Sequence, residues 1–247
     1  YPYTAGSTQL MHILPPEFIE GGTAATIERL KGKANRDRLR DRMEKGGEGF
    51  DNIAGMVGWE NIIMSTLNTS ANKRFEGMTV QDIAKARGTD PVDCVCDMLI
   101  EENCAITMID FITCEEDIAR ILNCGFASVI SDSIYPASGR PHPRLYGTYA
   151  RIIQRFVGER RDMTLEAAVK AMTYNPAKAL NIADRGLLKE GLCADVNVFD
   201  PAEVKERGSY ADPDKCAAGM DYVFVNGKPA IASGELTGGA FGQVIRR

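Results

Sequence analysis

Asp132 and Arg144 are the two residues whose types and spacing could do chemistry. Asp132 closes the apolar run FASVISD, and Arg144 follows twelve residues later in RPHPRLYG, behind Pro141, His142 and Pro143. A carboxylate beside a buried apolar strand costs several kcal/mol unless it is paired or coordinates a metal. A guanidinium presents a rigid fork that matches a carboxylate through two bonds, which a lysine cannot do. Together they offer a proton carrier and an anion grip. The same residue types also serve as a turn aspartate and a surface arginine, and position alone leaves both readings open. His142, held between prolines, has no ligand motif around it. Tyr1, Tyr3 and Ser7 lie in YPYTAGST, where hydroxyls could orient a carboxylate or simply pack. Glu115 and Glu116 suit the first turn of a helix, where carboxylates complement the dipole. The glycine-rich ELTGGAFGQ does not open a helix after a strand and is not read as a phosphate loop.

These residues need elements to hold them. AITMIDF (105–111) and FASVISD (126–132) read as short buried strands, with the helix CEEDIARILNCG between them. YGTYARIIQRFVGERR and TLEAAVKAMTYNPAKALNI read as amphipathic helices. The alternation predicts α/β architecture with parallel strands and outer helices, and such sheets place ligands at the carboxyl ends of their strands. Asp132 would sit at such an end. Upstream, 23–104 reads as mostly helical, with a strand around Trp59–Met64. One helix there is closed by Gly46 and Gly47; another is capped by Thr79 and ended by Gly88, and a third starts at Asp90-Pro91. From about residue 184 the pattern becomes short alternating strands, with Asn226-Gly227 as a hairpin signal.

Bulk properties narrow the class. The 247 residues are 44% hydrophobic and 26% charged, with a formal net charge of −5. A nucleic-acid binder would show a basic stripe. The most basic segment, RLKGKANRDRLRDRMEKGG, interleaves acids with its cations and reads as a solvated helix face. No apolar run approaches the ~20 residues that cross a bilayer, and no signal peptide is evident. Seven cysteines without a CxxC pair suggest reduced, mostly buried thiols in a cytoplasmic protein.

The segments in order, YPYTAGST, LPPEFIEGG, GTDPVDCVCDMLIEEN, SDS…RPHPRLYGTYARII, MTYNPAKALNIADRGLLKEGLCADVNVFDP and VFVNGKPAI, resemble the N-acyl-D-amino-acid deacylases. These are D-aminoacylase-type members of the amidohydrolase superfamily. The resemblance covers nearly the whole chain, and YPYTAGST and HPRLYGTYAR are specific to the deacylase branch. It implies an α/β fold, the C-terminal part of a (β/α)8 barrel over 1–183, with an inserted helical segment at about 23–104 and part of a small β-sandwich over 184–247. It further implies a zinc-dependent hydrolase that cleaves N-acyl-D-amino acids. Asp132 would match the proton-shuttling aspartate, Arg144 the arginine that grips the substrate carboxylate, and Tyr1 and Ser7 positions lining the substrate pocket.

The family's HxH motif and further metal ligands precede YPYTAGST and are not found here. His12 and His142 do not replace them, since a catalytic zinc normally takes three protein ligands. Asp132 is the one residue of this chain matched to a place beside the metal. The expectation is therefore a C-terminal portion whose partners are a small N-acyl-D-amino acid and an N-terminal half of the barrel, with neither nucleic acid nor membrane. A cyclic-amide hydrolase of dihydroorotase or hydantoinase type and a non-catalytic fragment or partner chain are the alternatives.

Overall fold

The computed structural model describes residues 1–46, 49–135 and 139–245, which form two compact units. One comprises Thr4–Thr113 with Ile134–His142; the other comprises Tyr1–Tyr3, Cys114–Ser133 and Pro143–Arg247.

The first unit opens with β1 (Gly6–Gln9) and the short helix α1 (Pro16–Ile19). The segment expected to run as one helix to Gly46 is two: α2 (Gly22–Lys31) and α3 (Lys33–Lys45), broken at Gly32, which takes an extended conformation. Gly46 ends α3 with positive φ, and Gly47 lies outside the described residues. Then come α4 (Ile53–Val57), β2 (Ile62–Thr66), α5 (Val80–Arg87), α6 (Pro91–Glu101) and β3 (Thr107–Asp110). The caps are those the sequence predicts. Thr79 Oγ1 accepts from Asp82 N at 3.1 Å, and Asp90 Oδ1 accepts from Val92 N at 3.0 Å and Asp93 N at 3.1 Å. Gly88 ends α5 in the left-handed region at φ 67°.

The sheet order is β1-β3-β2, and both pairings are antiparallel, with Ile62 and Gly6 each opposite Asp110. This corrects the expectation of parallel strands. A single crossover helix returns the chain to the same end of a sheet. Two helices, α5 and α6, lie between β2 and β3. With two helices the chain reverses three times, and an odd number of reversals brings β3 back in the opposite direction. Leu10, Phe18, Leu30, Leu39, Met64 and Met98 are fully buried in the core between this sheet and the helices.

The second unit holds α7 (Glu115–Leu122), α8 (Arg144–Arg151), α9 (Leu165–Met172) and α10 (Tyr174–Ala179). The expected single helix over 164–182 is thus broken at Thr173, next to Pro176 in the first turn of α10. From α8 the chain continues through wide π-type turns over Ile152–Glu159, with Arg160 N bonded to Arg155 O at 2.8 Å. FASVISD joins no ladder among the described residues. Val129 N donates instead to Ala171 O of α9 at 2.9 Å, and a strand exists only where a neighbour takes its backbone bonds. Ile118, Leu122, Val129, Ile152 and Phe156 pack together as this unit's core.

Its last part is an antiparallel sheet of β4 (Val196–Val198), β5 (Tyr222–Val225), β6 (Lys228–Ala232) and β7 (Glu235–Leu236), in that spatial order. Asn226 and Gly227 turn the β5–β6 hairpin with φ 50° and 75°, as a type I′ turn requires.

Candidate functional site

Arg144 is the first residue of α8, preceded by Pro143. A cation at a helix N-terminus opposes the dipole, so its placement there is not for the helix's benefit. Its side chain is only 2% exposed, yet its Nη2 lies 3.0 Å from Asp132 Oδ2, and that carboxylate is 53% exposed. On its other side the guanidinium carbon sits 4.3 Å from the centre of the Tyr1 ring, within cation–π range. Asp132 itself takes φ 50°, the left-handed region that aspartate enters more readily than most residues. Val129, three residues earlier, is buried in the core. Beside Asp132, Ser133 Oγ is buried with no hydrogen-bond partner among the described residues.

Three of the four residues singled out in the sequence are therefore together: Asp132, Arg144 and Tyr1. Ser7 belongs to the other unit, half-buried on β1 opposite Ile109. Pro136, Ala137 and Ser138, within the stretch that joins Asp132 to Arg144, lie outside the described residues.

A larger charged network of the same unit was not foreseen. Glu115, read as first-turn helix charge, accepts from Arg151 Nη2 at 3.0 Å, Arg155 Nε at 3.0 Å, Arg155 Nη2 at 2.7 Å and Arg160 Nη1 at 3.1 Å. The bonds from Arg155 hold its carboxyl below the usual range against the opposing effect of burial. Arg151 then reaches Glu206 at 3.0 Å and the Pro2 carbonyl at 2.7 Å. Tyr3 donates to Glu206 at 2.5 Å and lies 4.8 Å below the Arg151 guanidinium. Burial, and then the Glu206 bond, push the Tyr3 hydroxyl far above its ordinary pKa. The signal in sequence was Arg151 and Arg155 one helical turn apart, but nothing local pointed to Glu115 and Glu206 as their acceptors.

The described residues do not make a metal cradle. No group of three or more His, Cys, Asp and Glu is placed to hold an ion among them. His142 is buried and gives its Nε2–H to the Ala5 carbonyl at 2.9 Å. His12 is exposed, 2.7 Å from Thr8 Oγ1. All seven cysteines are free; Cys94, Cys96 and Cys104 are buried, whereas Cys114 and Cys216 are exposed, so burial is less general than expected. Among the described residues no helix is long and apolar enough to cross a membrane.

Residues 76–231 match the profile described as the amidohydrolase family. The chain is 35% identical over 173 residues to a D-aminoacylase of Alcaligenes xylosoxydans xylosoxydans, covering 70% of this chain and 34% of that protein. It is 38% identical over 151 residues to an N-acyl-D-glutamate deacylase of the same organism, covering 61% of this chain and 30% of the relative. It thus spans about a third of the length of the curated relatives it matches. Among solved structures, a D-aminoacylase studied for its binuclear metal centre superposes on all of this chain with a TM-score of 0.72 at 28% identity. An N-acyl-D-glutamate deacylase from Bordetella bronchiseptica, complexed with zinc and a phosphonate mimic of the tetrahedral intermediate, gives 0.73 at 29%. Each match covers 42% of the solved chain.

Proposed function

The chain belongs to the amidohydrolase family, and from that premise we propose that the protein it represents cleaves the amide bond of N-acyl-D-amino acids, releasing a carboxylate and a D-amino acid. The observation that carries this reading is the buried guanidinium of Arg144, stacked on Tyr1 and aimed at the exposed carboxylate of Asp132. A buried arginine fork is suited to a substrate carboxylate. Arg144, with Tyr1 beside it, holds that carboxylate, which fixes the acyl-amide bond relative to the chain. Asp132 carries the proton between the attacking water and the departing amine, a task that requires a solvent-accessible carboxylate on a positioned segment.

The cofactor assigned to the full protein is zinc, in keeping with the zinc complex of the similar N-acyl-D-glutamate deacylase. Its ligands are assigned to residues other than those described here, and no step is derived through it. For the whole protein we propose the family's barrel architecture, with 1–183 as the C-terminal part of a (β/α)8 barrel, about 23–104 as an inserted helical segment and 184–247 as part of a β-sandwich. The remainder of the barrel is the chain's partner in that arrangement. Seven free cysteines fit a reducing compartment, and the cytoplasm is assigned on that basis.

The test is a panel of N-acetyl-D-amino acids, their L-enantiomers, hydantoin and dihydroorotate against the full-length metal-loaded protein. Selective release of D-amino acids, abolished in Asp132→Asn with the fold intact, is expected. Turnover of the cyclic amides alone, or appreciable activity in Asp132→Asn, would overturn the assignment.

A further inference from the structure

Gly147 stands inside α8, one turn after Arg144. A glycine within a helix destabilises it relative to alanine, so its presence there calls for a reason. A methyl group placed on Gly147 would stand 2.5 Å from Tyr3 Oη and 2.9 Å from Glu206 Oε1. The bonded pair of Tyr3 and Glu206 thus presses on the bare backbone of the helix that carries Arg144. Glu206 is itself fixed from two sides. Val204, two residues before it, is fully buried in a cluster with Ala150 and Ile153, and the Glu206 amide donates to Gln154 Oε1 at 2.8 Å. Arg151, bonded to the same carboxylate at 3.0 Å, also holds the Pro2 carbonyl at 2.7 Å. Pro2 and Tyr3 are therefore held in place. Tyr1, whose ring lies 4.3 Å from the Arg144 guanidinium, is the next residue of that segment.

We infer that the Tyr3–Glu206 pair, seated on Gly147, positions the substrate clamp: it holds the Tyr1–Tyr3 segment at the depth and angle at which Tyr1 stacks on Arg144, and so sets the direction of the guanidinium fork. Tyr3, Glu206 and Gly147 are positioning residues, acting through Tyr1 and Arg144. The inference rests on the reading of Arg144 as the clamp and extends it to residues that reading gives no role. Withdrawing a carboxylate, a guanidinium and a phenol from water costs free energy, and apolar side chains of similar volume would pack the segment as firmly. What the polar lock adds is direction. A tyrosine hydroxyl bonded to a fixed carboxylate has one place to stand, whereas a phenylalanine in the same space could slide along the helix. A two-bonded grip on a carboxylate needs that precision, because its fork must be correctly oriented as well as charged.

The probe is D-leucine, a product whose carboxylate the clamp would hold, with D-leucinamide as its control without a carboxylate. Both are titrated calorimetrically into the full-length metal-loaded protein, and Arg144→Met defines the ratio of affinities without a clamp. In Tyr3→Phe, which keeps the ring and loses the bond, and in Glu206→Gln, D-leucine should bind about five-fold weaker, the scale of one misaligned hydrogen bond, while D-leucinamide stays within about two-fold. Gly147→Ala should act in the same direction although alanine favours the helix, and its effect should shrink in the Tyr3→Phe background, where the crowded hydroxyl is gone. On N-acetyl-D-leucine the loss should fall on KM and not on kcat. Thermal melting checks that each variant is folded; if Glu206→Gln is not, Tyr3→Phe and Gly147→Ala decide. Equal loss on both ligands, or an unchanged preference for D-leucine while Arg144→Met has lost it, would overturn the inference and leave the clamp standing. If Arg144→Met keeps that preference, the clamp reading itself fails, and the inference with it.

Discussion

Arg144→Lys isolates the fork from the charge. Lysine keeps the positive charge but loses the second parallel bond and the flat face that stacks on Tyr1 at 4.3 Å. With the native side chain 2% exposed, the lost bond is made in a desolvated place, where a charge-assisted bond contributes about 1.5–3 kcal/mol. A loss of about 2 kcal/mol in transition-state binding corresponds to roughly a 30-fold fall in kcat/KM. Most of it should fall on KM, because the carboxylate is gripped in both ground and transition states. The assay compares acetate release from N-acetyl-D-leucine with release from N-acetyl-D-leucinamide, which has no carboxylate to grip. On the amide, Arg144→Lys should change kcat/KM by less than about three-fold, since no carboxylate bond is lost. Thermal melting checks that the variant is folded. An equal fold-loss on both substrates would refute the reasoning, because it would make Arg144 a structural residue.

Glu115→Gln should destabilise the protein by about 2 kcal/mol in urea unfolding, less than the 3–5 of a fully buried broken pair because its arginines keep other acceptors and some solvent. The carboxyl of Glu115 is held low by Arg155, so its contribution is complete above the unfolded value of about 4.3 and is lost as pH falls through the lower folded value; native protein should lose stability there faster than the variant. Burial raises the thiols of Cys94 to about 11 and Cys96 to about 12, so iodoacetamide at pH 8 should label Cys114 and Cys216 first and reach Cys94 and Cys96 only in denaturant, as peptide mapping would show. Gly227→Val, at φ 75° in the β5–β6 turn, should cost about 1–2 kcal/mol and raise hydrogen exchange across Tyr222–Ala232.

What could be read in the sequence was local. Thr79, Gly88 and Asp90 act through bonds to residues within three or four positions, and Asn226-Gly227 needs only its own backbone preferences. Strand direction could not be read in that way. Whether β3 lies parallel or antiparallel to β2 depends on how α5 and α6 return the chain, and the apolar pattern of AITMIDF is the same in either case. FASVISD shows the complementary failure: its composition suits a buried strand, but Val129 finds its acceptor on a helix. Asp132 and Arg144 stood out by residue type, but that the two pair, with Tyr1 stacked on Arg144, was not legible in the sequence. The Glu115 network was not legible at all, since its partners lie 36 to 45 residues away.

That network bears on why Arg144, and not its neighbour two turns along α8, is the residue offered to a ligand. Arg144 and Arg151 are seven positions apart, which puts them on one side of the helix. Each sits over a tyrosine of the Tyr1–Tyr3 segment, at 4.3 Å and 4.8 Å. Their carboxylate partners differ in kind. Arg151 bridges Glu115 and Glu206, whose side chains are 16% and 12% exposed, and also donates to the Pro2 carbonyl. A guanidinium so enclosed is neutralised and ties Tyr1–Tyr3 to α8. Arg144 faces Asp132, which is 53% exposed. A stack on an aromatic ring orients that guanidinium, and the half-exposed Asp132 pairs its charge. By anchoring Pro2 through Arg151, the buried network fixes Tyr1, and Tyr1 in turn sets the plane of Arg144. Two arginines of identical chemistry thus divide into a strut and a clamp according to the exposure of the carboxylates they meet.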